Sequence, residues 1–131
     1  MSEMLKIIKS ADRITTLRLD GKLDGQTEGE LVDAARAEFD SGARFLLLDF
    51  GGLQLITSAG LRALHTIFKI YTPDAEIIAW KKEHSGETYK SSYFKIAQPA
   101  PDIHYVLSIS GFVNSIYIFP TLQEALDSFS S

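Results

Sequence analysis

The stretch FLLLDFGGLQLITSAGLRAL, Phe45 to Leu64, decides the fold. Phe45-Leu46-Leu47-Leu48 is a continuous apolar run, too short and too punctuated for a helix, and reads as a strand buried on both faces. Gly51-Gly52 is expected to end that strand, with Leu53-Gln54-Leu55-Ile56 as a short irregular connection. A helical stripe then begins at Leu61. Thr57 and Ser58 therefore stand at the mouth of a helix, just past the carboxyl end of a strand, where open α/β sheets usually place function.

Downstream, Leu61, Leu64, Phe68 and Tyr71 share one helical face, with Arg62, Thr66 and Lys69 outward, and Pro73 stops the helix. Upstream, Leu31, Ala35 and Phe39 recur at four-residue spacing in a helix from about Thr27 to Ser41, with Gly42 placed to end it. Leu5–Lys9 and Ile14–Leu19 read as a hairpin around Ser10-Ala11-Asp12-Arg13, and Gly21 and Gly25 loosen the chain around Lys22-Leu23-Asp24. Tyr93–Gln98 reads as a strand ended by Pro99. A helix opening at Pro101 carries Ile103, Val106 and Leu107 and ends at Gly111. Ser115–Phe119 is the last strand, and Thr121-x-x-Glu124 is a capping box opening a helix with Leu122, Ala125, Leu126 and Phe129. From Pro73-Asp74 to about His84 a helix with Asp74 as N-cap is preferred, against a competing strand at Ala75–Trp80.

Strand and helix in alternation predict an α/β fold: a small mixed, mostly parallel sheet with an N-terminal hairpin and about four or five helices. At 131 residues the chain holds one domain and one sizeable core. A hydrophobic fraction of 45% and a charged fraction of 23% are ordinary for a soluble globular protein. The net charge of −4 argues against nucleic acid as a partner. The chain has no cysteine, which removes disulfides and thiolate chemistry and fits a reducing compartment. The N-terminal MSEMLKIIKSADR has no apolar core of a signal peptide, and no apolar run approaches the roughly 20 residues that span a bilayer. The expectation is a soluble cytoplasmic protein without membrane contact.

Catalytic readings are weak. Ser58-Ala59-Gly60 is half of a nucleophile elbow, but Ile56 stands where glycine is required. His65, His84 and His104 lie in three segments without metal-ligand spacing, and Gly51-Gly52 belongs to no phosphate-binding loop. Asp20 and Asp24 read as solvated acids. No enzyme, cofactor or metal is expected. What survives is the pair Thr57-Ser58. One of the two is expected to cap the helix, for about 1 kcal/mol. A phosphate there would also meet the positive end of the helix and its free N–H groups without unfolding the domain.

Three segments together resemble the STAS domain, the family of bacterial anti-sigma factor antagonists and of the cytoplasmic domains of sulfate transporters. They are Leu17-Arg18-Leu19-Asp20-Gly21-Lys22-Leu23-Asp24, the run Phe45–Leu61, and Leu107-Ser108-Ile109-Ser110-Gly111-Phe112 followed by Ile118-Phe119 and Leu122–Leu126. In order they cover most of the chain. The resemblance implies phosphorylation at Ser58, ahead of Thr57. It implies a partner surface of Asp24, Thr57, Ser58, Ala59, Gly60 and Arg62. The implied partners are an anti-sigma factor that is also a GHKL-type serine kinase, and a phosphatase that restores binding. Two departures stand out. Thr57 occupies the place of the acid that usually precedes the serine. An insertion is expected at about residues 75–90 within the single domain of residues 1–131. The alternative is a STAS scaffold or ligand-sensing module without a phosphorylation switch.

Overall fold

The computed structural model describes residues 5–11 and 14–129. Strands β1 (Leu5–Ala11), β2 (Thr15–Leu23), β3 (Leu46–Ile56), β4 (Ser91–Ala97) and β5 (Ile116–Phe119) form one sheet in chain order. β1 pairs antiparallel with β2, and every later pair is parallel. The expected hairpin is therefore present, while Asp12-Arg13 of its turn lie outside the described residues. The helices are α1 (Glu28–Asp40), α2 (Ser58–Tyr71), α3 (Asp74–Glu83), α4 (Pro101–Ile109) and α5 (Leu122–Ser128), with a 3-10 turn at Phe112–Asn114.

β3 is buried on both faces, as its apolar run requires. Leu46, Leu48 and Phe50 pack with Leu31 and Ala35 of α1, Leu64, Ile67 and Tyr71 of α2, and Ile103 and Leu107 of α4. Leu47 faces the other way, onto Ala97 and onto Ala125 of α5. On α2 the fully buried line is Ala63, Leu64, Ile67 and Tyr71, while Leu61 and Phe68 are half-buried at its margin. Gly42 and Gly111 follow α1 and α4 at φ 114° and 87°, as expected of helix-ending glycines. The Thr121 hydroxyl accepts the Glu124 N–H at 3.1 Å and donates to the Glu124 carboxylate at 3.1 Å.

Two expectations are corrected in the middle of the sheet. β3 does not stop at Gly51-Gly52 but runs on to Ile56, and β2 runs on past Leu19 to Leu23. The glycines mark a close approach rather than a break. A Cβ on Gly52 would lie 1.6 Å from Asp20 Oδ1, and one on Gly51 would lie 3.0 Å from both Asp49 Oδ1 and Gln98 Nε2. The ladder between β2 and β3 shifts register twice here. The Asp49 carboxylate, 2% exposed, accepts the Gly51 N–H and the Gln98 amide at 2.9 Å each, with the Arg18 guanidinium 3.5 Å away. Those partners offset the cost of burying it.

The segment after Pro73 is a helix, not a strand. Its N-cap is Pro73, with Asp74 the first helical residue rather than the cap. α3 buries no residue fully, and Glu76 holds it to the sheet by accepting hydrogen bonds from the Tyr89 and Tyr93 hydroxyls at 2.5 Å.

Three phenols give the fold an alkaline limit. The Tyr71 hydroxyl donates to the Ala35 carbonyl at 2.8 Å, and burial pushes its pKa up to about 12. Burial raises Tyr89, helped by its bond to Glu76, and Tyr93's own bond to Glu76 is the main cause of its rise. A pKa raised on folding contributes stability that is complete below the unfolded value, about 10, and is lost as pH rises through the folded value. Urea midpoints are therefore expected to fall from about pH 10 to about pH 12. Tyr71→Phe should cost about 1 kcal/mol at neutral pH and make that fall shallower.

Candidate functional site

Three chain ends meet at the amino end of α2. The Thr57 N–H donates to the Leu23 carbonyl at 3.1 Å, joining the end of β3 to the end of β2. Gly60 then lets the first turn of α2 settle on β2: a Cβ there would lie 2.8 Å from the Leu23 carbonyl oxygen and 2.7 Å from Ile56 Cγ1. The loop after β2 lies against the same turn, since a Cβ on Gly25 would sit 3.9 Å from Ala59 Cβ. Thr27, 2% exposed, shapes that loop. Its hydroxyl donates to the Lys22 carbonyl at 2.9 Å and accepts the Asp24 N–H at 3.0 Å. The Asp24 carboxylate accepts the Gln26 N–H at 3.0 Å. At the rim, Arg62 of α2 meets Glu28 of α1 at 3.3 Å.

The two hydroxyls differ in access. Ser58 is exposed on the first residue of α2. Thr57 holds the N-cap position at φ −110° and ψ 179°, but its side chain makes no cap bond. Its Oγ1 is buried and has no hydrogen-bond partner. The expectation that one of the two would cap the helix is thus corrected: the Thr57 hydroxyl is turned inward. The first-turn amides are left without a side-chain acceptor, and Leu61 N–H bonds the Thr57 carbonyl at 3.0 Å. An N-cap threonine normally stabilises its helix. Here the sign reverses, because an unsatisfied buried hydroxyl costs about 1–3 kcal/mol. Thr57→Val is expected to raise stability by about 1 kcal/mol in urea unfolding, where loss of a working cap would lower it.

Asp24, Ser58 and the exposed end of Arg62 are brought together at this corner. Ala59 and Gly60, expected on the partner surface, are buried. Packing of α2 on β2 turns them inward, where they seat the helix. Thr27 and Glu28 also belong to this corner, and Asp24-x-x-Thr27 has the spacing of a side chain closing a turn on its own backbone. His65 and His104 are exposed on different helices, and His84 stacks on Trp80 at 4.2 Å. Among the described residues no group of His, Asp and Glu is arranged to hold a metal ion, and no helix is long and apolar enough to cross a membrane.

The chain resembles several solved structures in fold. An anti-sigma factor antagonist from Mycobacterium paratuberculosis is 16% identical with a TM-score of 0.77, over 97% of this chain and 95% of that one. A putative anti-sigma factor antagonist from Thermotoga maritima is 18% identical with a TM-score of 0.71, over 97% and 93%. The Bacillus cell fate determinant SpoIIAA in its phosphorylated form is 18% identical with a TM-score of 0.60, over 94% and 96%. No curated protein matches by sequence. The family profile described as STAS domain matches residues 6–75, which contain the strands, loop and helix start that build this corner. The chain belongs to the STAS domain family.

Proposed function

We propose that this protein is an anti-sigma factor antagonist: a binding module that docks an anti-sigma factor on the Asp24–Ser58 corner and is switched off by phosphorylation of Ser58. The partner is a GHKL-type serine kinase in the cytoplasm, and a phosphatase restores binding. The observation that carries this reading is the contrast between the exposed Ser58 and the inward, buried hydroxyl of Thr57. A kinase must reach the hydroxyl it modifies, and only Ser58 is presented. The uncapped amides of α2 give a phosphate on Ser58 hydrogen-bond donors and a favourable dipole, so the modification changes the surface and leaves the fold intact. Similarity in fold to SpoIIAA in its phosphorylated form lends support.

The missing acid before Ser58 narrows the choice of kinase. With Thr57 there, a carboxylate this corner still offers is that of Asp24, held by the loop after β2. The cognate kinase is one that reads Asp24 and Arg62 and needs no acid at the preceding position. Residues 75–90 we read as an addition outside the switch, consistent with a family match that stops at residue 75.

Paired baits test the proposal. Ser58→Ala and Ser58→Asp proteins are immobilised and exposed to native cytoplasm. A GHKL-type kinase captured by the alanine bait and absent from the aspartate bait is the expected outcome. Equal capture by both would remove the switch and leave an unswitched STAS scaffold.

A further inference from the structure

Away from the α2 corner, and beyond the residues matched by the family profile, a cleft of about 490 Å³ opens between the α3–β4 connection and β5. Trp80, Glu87, Thr88, Lys90 and Tyr117 line it. That volume lies within the range of small-molecule sites. Trp80 is a fixed wall: it stacks on His84 at 4.2 Å and 9°, and Tyr89 meets it edge-on at 5.6 Å. His84 is itself held by a 2.9 Å bond from Nδ1 to the Trp80 carbonyl. Tyr117 of β5, 41% exposed, meets two ammonium groups, with Lys90 Nζ 5.1 Å and Lys95 Nζ 5.4 Å from its ring centre. Lys95 is 6% exposed and is tied to Ser128, so only Lys90 is free to meet a ligand.

Among the described residues neither Lys90 nor Glu87 forms an ion pair. The cleft thus offers the Trp80 indole, a cation and an anion without ion-pair partners, and the Thr88 hydroxyl. A ligand that satisfies all of them carries one planar ring, one carboxylate and one ammonium. We propose that this cleft binds a free aromatic α-amino acid, its ring against Trp80, its carboxylate at Lys90 and its ammonium at Glu87. The proposal is independent of the Ser58 switch and would give the module a small-molecule input.

Trp80 is the single tryptophan of the chain, so its indole N–H resonance and its emission report on this cleft alone. The 131-residue protein is titrated with L-phenylalanine, L-phenylalaninamide, 3-phenylpropionate and L-leucine, none of which absorbs where tryptophan is selectively excited. L-phenylalanine should shift the indole resonance and saturate in the low millimolar range. The amide, lacking the carboxylate, and the propionate, lacking the ammonium, should each bind about tenfold more weakly, and L-leucine more weakly still. Lys90→Gln should reduce L-phenylalanine to the affinity of its amide, and Glu87→Gln to that of the propionate. Both substitutions are on exposed side chains, and an unchanged amide spectrum elsewhere confirms that the fold is kept. An unmoved indole resonance at saturating L-phenylalanine overturns the proposal. So does any other order of affinities, or an L-phenylalanine affinity that neither variant lowers.

Discussion

Ser58→Asp is expected to lower the affinity for the proposed anti-sigma partner by about 100-fold or more, while Ser58→Ala is expected to stay within about threefold of the wild type. The magnitude follows from where the new charge would lie. Ser58 is exposed in the free protein, and in the proposed complex it is covered by the partner. A carboxylate covered there without a cation to meet it costs about 2–5 kcal/mol, and about 2.7 kcal/mol is a hundredfold in affinity. Alanine adds no charge and removes one exposed hydroxyl. The effect should appear mainly as faster dissociation in surface plasmon resonance or a comparable kinetic measurement. A loss of affinity in Ser58→Ala equal to that in Ser58→Asp would show instead that the hydroxyl itself is an essential contact.

Gly60→Ala is expected to be the most damaging single methyl group in this region. The added Cβ would stand 2.8 Å from the Leu23 carbonyl oxygen, a backbone atom in the sheet, and 2.7 Å from Ile56 Cγ1. Neither has room to retreat, because Leu23 is fully buried and Ile56 is 7% exposed. The helix must lift from β2, at a cost of about 3 kcal/mol and a fall in Tm of about 10 °C. Gly52→Ala provides the control. Its Cβ would fall only 1.6 Å from Asp20 Oδ1, but that carboxylate ends a flexible side chain with 37% exposure and can swing aside. A cost of about 1 kcal/mol is expected there, despite the shorter distance. Thermal unfolding of the two variants should therefore rank them opposite to their nominal clash distances.

These contrasts mark what the sequence could and could not disclose. The run Leu46–Phe50 is apolar on both faces apart from Asp49, and all five residues are buried, so the centre of the sheet was readable directly. Helix ends at Gly42, Gly111 and Thr121 were also readable, since they depend on chemistry within a few residues. The Gly51-Gly52 pair was not. Its glycines make room for Asp20 of β2, Asp49 and Gln98 just past β4, and that need leaves no local trace. The extension of β2 to Leu23 was hidden for the same reason, because its partner is the continued β3. At the site, the order strand, hydroxyl pair, helix located Ser58 correctly at an exposed helix start. The inward Thr57 hydroxyl and the burial of Ala59 and Gly60 depend on α2 closing onto β2, a contact between distant segments. Local rules favour a capping threonine, and the tertiary contact overrides them.

The most direct measurement uses one sample in two states: the protein phosphorylated at Ser58 by its captured kinase, before and after treatment with a phosphatase. The site is read by mass spectrometry, the fold by amide hydrogen exchange, and partner affinity by titration in each state. The account predicts a phosphate on Ser58 and none on Thr57, protection of α2 equal to or greater than in the unmodified protein, and affinity lost with the phosphate and recovered on its removal. A phosphate on Ser58 that leaves partner affinity unchanged, or that melts α2, would contradict it.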